Sequence, residues 1–210
     1  MRNPWLDIPL NEYEEHMSLP AVDQAGLLAE EFGRALHKYA PKSVAIIGCA
    51  GGNGFERIDP QITKRVVAID INPNYVAAVR ERFGGPPLRL ETCVADIEGL
   101  WFSVSPVELV YVALLLEYVD VARTVERIAD VCSPGGILVT LIQLPSTTRT
   151  AVTQSPFSSV QSLVGAFQPV SPEELNTVAA LAGFRLLDGN EVTSSPGKRF
   201  VVQTFRREAQ

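Results

Sequence analysis

Residues 43 to 143 alternate between short apolar runs and segments with helical spacing. Strands are expected at 43–48, 65–70, 88–94, 108–113 and 136–143; the first two are nearly continuous apolar runs, the pattern of strands buried on both faces. Residues 53–58, 73–83 and 119–132 are expected to be helical. Asn72-Pro73 caps and opens the second of these, with proline at the first helical position, where its missing N–H is not needed. Ser133-Pro134-Gly135-Gly136 breaks the third and returns the chain to a strand. This β–α–β order predicts an α/β fold, a mostly parallel sheet with helices on both faces.

The flanks differ. Residues 1–20 hold Trp5, three prolines and the acidic patch Glu12-Tyr13-Glu14-Glu15, which predicts an irregular arm with one short helix. Val22 to Tyr39 places Val22, Ala25, Leu28, Ala29, Phe32 and Leu36 at helical spacing, and Pro41 ends that helix. Residues 1–40 are therefore read as an N-terminal helical arm or cap, and 41–210 as the main domain. Residues 145–170 are rich in Ser, Thr, Pro and Gln, with Phe157 and Phe167 embedded, and a loop of this length is read as a substrate loop or lid. Ser171-Pro172-Glu173-Glu174 is a capping box opening a helix that runs to about Ala182. Runs at 184–193 and 199–206 flank Ser194-Ser195-Pro196-Gly197 and predict an antiparallel hairpin at one sheet edge.

The 210 residues suit one main domain with a small appendage, and 46% hydrophobic content can fill its core. Net charge is −6, with no basic face, so no nucleic-acid partner is expected. Cys49, Cys93 and Cys132 are too few and too widely spaced for a disulfide framework or a zinc site, so no metal is expected. The start lacks an apolar signal segment, and the longest apolar stretch, Leu109 to Leu116, is too short to span a bilayer. A cytoplasmic protein without membrane contact is expected; its oligomeric state is not legible.

Candidate chemistry gathers where strands end. Val44 to Ile47 runs directly into Gly48-Cys49-Ala50-Gly51-Gly52-Asn53-Gly54, small residues that let backbone approach a ligand. Asp70 closes the next strand, and Asp96 follows the one after. In open α/β sheets ligands bind beyond such ends. These features resemble the class I S-adenosylmethionine-dependent methyltransferases over roughly residues 40 to 206. The loop from Gly48 is similar to that family's Gly-x-Gly-x-Gly turn, with Ala50 in the middle glycine slot. Asp70 stands where the family's acid accepts from both ribose hydroxyls. Ala95-Asp96-Ile97 looks like its adenine-binding segment, and Pro134-Gly135-Gly136 like the turn before its fifth strand. The resemblance implies a Rossmann-like seven-stranded sheet ending in the antiparallel hairpin. It also implies S-adenosylmethionine as cofactor, S-adenosylhomocysteine as product, and contacts from Gly48, Cys49, Ala50, Gly52, Asn53, Asp70, Ile71, Asp96, Ile97, Ala113 and Leu114.

A nicotinamide cofactor is the rival, since Asp70 follows Gly48 by about 20 residues. Its Gly-x-Gly-x-x-Gly fingerprint, started at Gly48, would put Ala50 and Asn53 in glycine slots. One departure from the methyltransferase pattern is Ile46, which stands where an acid commonly anchors the cofactor's ammonium. Tyr13, Glu15 or His16 of the arm is the expected substitute. No Asp/Asn-Pro-Pro-Tyr motif and no Pro-Cys pair points to a nucleobase acceptor, so a small-molecule acceptor is expected. Glu117, where the resemblance places acceptor-facing groups, and His16 are the candidate bases. Binding of the cofactor without turnover is the other alternative.

Overall fold

The computed structural model describes residues 3–99, 104–146 and 150–209. Met1-Arg2 of the expected arm and residues 147–149 of the expected loop lie outside them. Seven strands form one sheet: β1 Ser43–Ile47, β2 Arg65–Asp70, β3 Leu90–Val94, β4 Val107–Ala113, β5 Cys132–Gln143, β6 Phe184–Thr193 and β7 Arg199–Arg207. Their order is β3-β2-β1-β4-β5-β7-β6. β1 to β5 pair in parallel, while β7 runs antiparallel between β5 and β6. Chain order therefore reverses at β1, whose neighbours are β2 and β4, and the crevice beyond their carboxyl ends is where such sheets take ligands.

The helices are α1 Leu10–Ser18, α2 Ala25–Tyr39, α3 Pro73–Phe83, α4 Val121–Val131, α5 Ser158–Gln161 and α6 Pro172–Leu181. Alternate β1 residues feed opposite cores. Val44 and Ile46 join a cluster with Leu28, Phe32 and Leu36 of α2 and Val79 of α3. Ala45 and Ile47 join one with Val125 and Ile128 of α4 and Leu175 and Ala179 of α6. Helices thus cover both faces, as a strand buried on both sides requires. The sheet matches the Rossmann-like expectation, hairpin included.

Three local expectations are corrected. Residues 53–58 form no α-helix; a single 3-10 turn, Phe55–Arg57, stands there. Gly52 and Gly54 hold φ of 85° and 86°, a left-handed conformation that cannot be continued as an α-helix. α2 takes the neighbouring space, since a Cβ on Gly54 would lie 3.2 Å from Ala29 Cα. α2 itself begins at Ala25 rather than Val22, because the chain turns through Asp23 at φ 45°. Ser133 to Gly136 lies inside β5 as a bulge: Val107 pairs with Cys132, but Leu109 pairs with Ile137.

A third, smaller cluster joins Ile8 to Val152, Val160 and Leu163, with Trp5, Tyr13, Tyr118 and Phe157 against it. It packs the N-terminal arm onto residues 150–165. Ser159 Oγ also donates to the Glu12 carboxylate of α1. The two segments outside the strand–helix repeat therefore meet above the sheet's carboxyl edge.

Candidate functional site

The loop after β1 is shaped by its own backbone. Gly48 N and Cys49 N both donate to Ile69 O, at 2.9 and 3.1 Å, tying the loop to the end of β2. Gly48 needs its φ of +74°, and a Cβ there would lie 3.0 Å from Leu115 Cδ1. Ala50 at φ 44° and Leu114 at φ 53° hold left-handed backbone without being glycine. Each such residue costs roughly 1–2 kcal/mol, and strain of this kind gathers at functional sites. Here both residues line one cleft.

Asp70 is the buried acid of that cleft. Ala50 N donates to its Oδ2 and Asn72 N to its Oδ1, both at 2.9 Å. Burial raises its pKa, and the backbone donors only partly offset this. Each oxygen retains acceptor capacity beyond these bonds. The buried Tyr75 hydroxyl, on the same cleft, has no partner. Asp96 is exposed, with Oδ1 accepting from Glu98 N at 3.0 Å, and Ile97 beside it is buried.

Three adjoining clefts open here. The first, with about 660 Å³ of empty space, brings together Gly48, Ala50, Asp70, Ile71, Asp96 and Ile97, with Ala113, Leu114 and Tyr13. The second, about 460 Å³, holds His16 and Glu117 with Gln143 and Lys198. The third, about 1010 Å³, holds Cys49, Gly52 and Asn53 with Ile46. Tyr13 lines all three. Cys49, Gly52 and Asn53 therefore do not share the cleft of Asp70. The Asn53 amide donates to Ala25 O at 2.9 Å, and Ala25 lines the same third cleft.

Of the arm residues expected to stand in for the acid absent at Ile46, Tyr13 lines the third cleft together with Ile46. His16 faces the second cleft and Glu15 is exposed; Glu14 is the arm acid on the third cleft, beside Ile46. Its carboxylate takes both Nη atoms of Arg82, whose Nη1 also donates to Gly51 O at 3.0 Å. Side chains missed in the sequence include Trp5, Tyr75 and Lys198. Trp5 packs edge-on to Tyr118 at 5.1 Å and to Tyr13 at 5.6 Å, and Asn72 Nδ2 donates to its carbonyl at 2.9 Å. An aromatic residue in a proline-rich arm was the available signal.

Glu117 has no exposed surface. Gln143 N donates to its Oε1 at 2.6 Å, while its Oε2 has no partner. Burial pushes its pKa up to about 7. His16 is also buried, its Nδ1 unpartnered, and burial together with the Lys198 charge lowers its pKa. Cys49 is buried and its thiol pushed upward, which suits packing and not nucleophilic chemistry.

Residues 46–140 match the family model of a methyltransferase domain. Over that stretch the chain is similar to a methyltransferase domain, and its fold is that of solved S-adenosylmethionine-dependent methyltransferases. The domain match sets aside the dinucleotide alternative. Among solved structures, the chain resembles the N-methyltransferase NodS from Bradyrhizobium japonicum WM9 in complex with S-adenosyl-L-homocysteine. The TM-score is 0.63 at 20% identity, covering 100% of this chain and 94% of that one. It also resembles geranyl diphosphate C-methyltransferase from Streptomyces coelicolor A3(2), with TM-score 0.65 at 13% identity, covering 85% and 77%. The cyclase SpnF is similar too, with TM-score 0.62 at 15% identity, covering 80% and 76%. At such identities the likeness establishes the fold alone, and three different chemistries share it. No curated protein sequence matches the chain. No helix among the described residues is long and apolar enough to cross a membrane, and no group of residues there could hold a metal ion.

Proposed function

We propose that this methyltransferase moves a methyl group from S-adenosylmethionine to a small molecule seated in the second cleft. The observation that carries the reading is Asp70, a buried carboxylate at the point where strand order reverses, with acceptor capacity left on both oxygens. The residues present suit the cofactor chemically. Asp70 would accept from the ribose hydroxyls, Asp96 from the adenine amino group, and Ile71 and Ile97 would flank the base. The orphaned Tyr75 hydroxyl in the same cleft supports a polar ligand there. For the amino-acid end, the third cleft offers Glu14 and Arg82 near the glycine loop, which supports their standing in for the acid absent at Ile46.

When bound, the cofactor supplies an electrophilic methyl carbon on a positively charged sulfur. The chain's own task is then positioning and proton handling. Tyr13, common to the three clefts, would border the meeting point of donor and acceptor. Trp5, Ala151, Val152, Thr153, Val160 and Leu163 wall the acceptor side. Glu117 Oε2 would take a proton from the acceptor. A protein that only binds the cofactor would have no use for an orphaned carboxyl in the neighbouring cleft, which favours turnover over the binding-only alternative.

The test is calorimetry with S-adenosylhomocysteine on the wild type and on Asp70→Ala. Two hydrogen bonds to a charged acceptor contribute about 1.5–3 kcal/mol each, so the variant should bind about 10²- to 10⁴-fold more weakly. Equal binding by both proteins would remove Asp70 from the site, and no binding by the wild type would refute the reading.

A further inference from the structure

The second cleft joins features that the donor site does not need. Glu117 and His16 are each at least nine-tenths buried, and each leaves one polar atom, Oε2 and Nδ1, without a partner. They come from different elements, the turn after β4 and helix α1, yet face one space. Buried polar groups are nearly always satisfied, so two orphans in one cavity mark the place of a polar ligand atom. Lys198, from the turn between β6 and β7, lies close enough to lower the His16 pKa. Its Nζ donates to Ala151 O at 2.7 Å, which holds the charge against the cleft wall.

The charge balance narrows the ligand. Among the described residues, Glu117 and Lys198 are the charged side chains lining the cleft. The other titratable groups facing it are His16, which burial keeps neutral, and Tyr13 and Tyr118, whose pKa values burial raises. One potential anion against one cation leaves no net negative charge to hold an ammonium group. A carboxylate acceptor would meet Glu117. A neutral molecule with a weakly acidic hydroxyl satisfies both sides: it donates to Oε2, and the charge it develops on losing its proton is drawn towards Lys198.

Shape narrows it further. Trp5, Tyr118 and Phe167 form an aromatic wall, with Tyr118 edge-on to Trp5 at 5.1 Å and to Phe167 at 5.8 Å. Met17, Val160 and Leu163 add apolar surface to the same cleft. Such walls suit a flat ring, and a concave cleft lined this way is the kind that takes a small molecule.

Resting on the methyl-donor reading above, we infer that the acceptor is a small phenol, held by Glu117 Oε2 and His16 in the second cleft and methylated on oxygen. The hydroxyl proton passes to Glu117 Oε2 and its bonding pair stays on the phenol oxygen. That oxygen forms the new bond to the methyl carbon, while the donor sulfur keeps the pair of the broken C–S bond and leaves as a thioether.

The test uses the full chain and three nitroaromatic probes of similar size, 4-nitrophenol, nitrobenzene and 4-nitrobenzylamine, titrated by calorimetry with and without S-adenosylhomocysteine. Expected are at least tenfold tighter binding of 4-nitrophenol than of the other two, and loss of that preference in Glu117→Gln. Wild-type selectivity alone decides the matter if the variant folds poorly. Equal binding of 4-nitrophenol and nitrobenzene, or tighter binding of the amine, would overturn the phenol assignment. Failure of S-adenosylhomocysteine to bind while the phenol preference persists would instead sink the donor reading.

Discussion

Replacing Glu117 by Gln should make the protein more stable above neutrality, although Glu117 is wholly buried and hydrogen-bonded. The pKa rises from its ordinary 4.5 to about 7 because burial penalises the charged form. At 1.36 kcal/mol per pH unit, that interval corresponds to about 3 kcal/mol. The sign follows from proton counting. Between pH 4.5 and 7 the folded protein retains a proton that the unfolded chain has lost, so stability falls as pH rises through this window. Below pH 4.5 both states are protonated and the contribution is complete; above pH 7 it is gone. Gln keeps the oxygen that accepts from Gln143 N and presents an amide where the protonated acid presents its hydroxyl. The variant should therefore match the wild type near pH 4 and exceed it by about 3 kcal/mol at pH 8. Urea unfolding at both pH values measures this directly, and the wild type minus variant difference cancels every other titrating group. A variant equally stable at pH 8, or less stable there, would show that Glu117 is not held near neutrality by burial. The expected gain matters for function, because a group that costs stability in its ionised form is retained for something other than the fold.

Arg82→Ala should weaken S-adenosylhomocysteine binding at least fivefold and leave 5′-methylthioadenosine, which lacks the amino-acid end, unchanged in calorimetry. Equal loss for both ligands would place the Glu14–Arg82 pair outside that end of the site. Stability should hardly move, since both side chains are more than a third exposed and such ion pairs contribute little. Gly48→Ala should lower the melting temperature, because left-handed backbone costs a residue with Cβ roughly 1–2 kcal/mol and the added atom would press on Leu115. A melting temperature equal to the wild type's would mean that the loop relaxes out of its positive φ.

The sheet was legible because its strands are local facts. β1 and β2 are nearly continuous apolar runs, and each ends where a glycine or an acid interrupts the run. Asp70 and Asp96 were placed by the same logic, since strand ends in a parallel sheet share one edge. The misread segment, 53–58, was judged by a short periodic pattern, whereas its conformation follows from two glycines and from α2 pressing on Gly54. The second cleft was beyond reach for a different reason. Glu117, His16 and Lys198 come from three segments whose approach depends on the arm and residues 150–165 packing together. Lys198 reads in sequence as the polar end of a Ser-Pro-Gly turn, and nothing local announces its burial. Its surroundings are set by Ala151 and His16, contacts with no sequence period. The donor side of the site is thus written in strand ends and turn residues, while the acceptor side is written in tertiary packing. Substitutions in the arm or in 150–165 should consequently alter which acceptor binds before they alter the sheet.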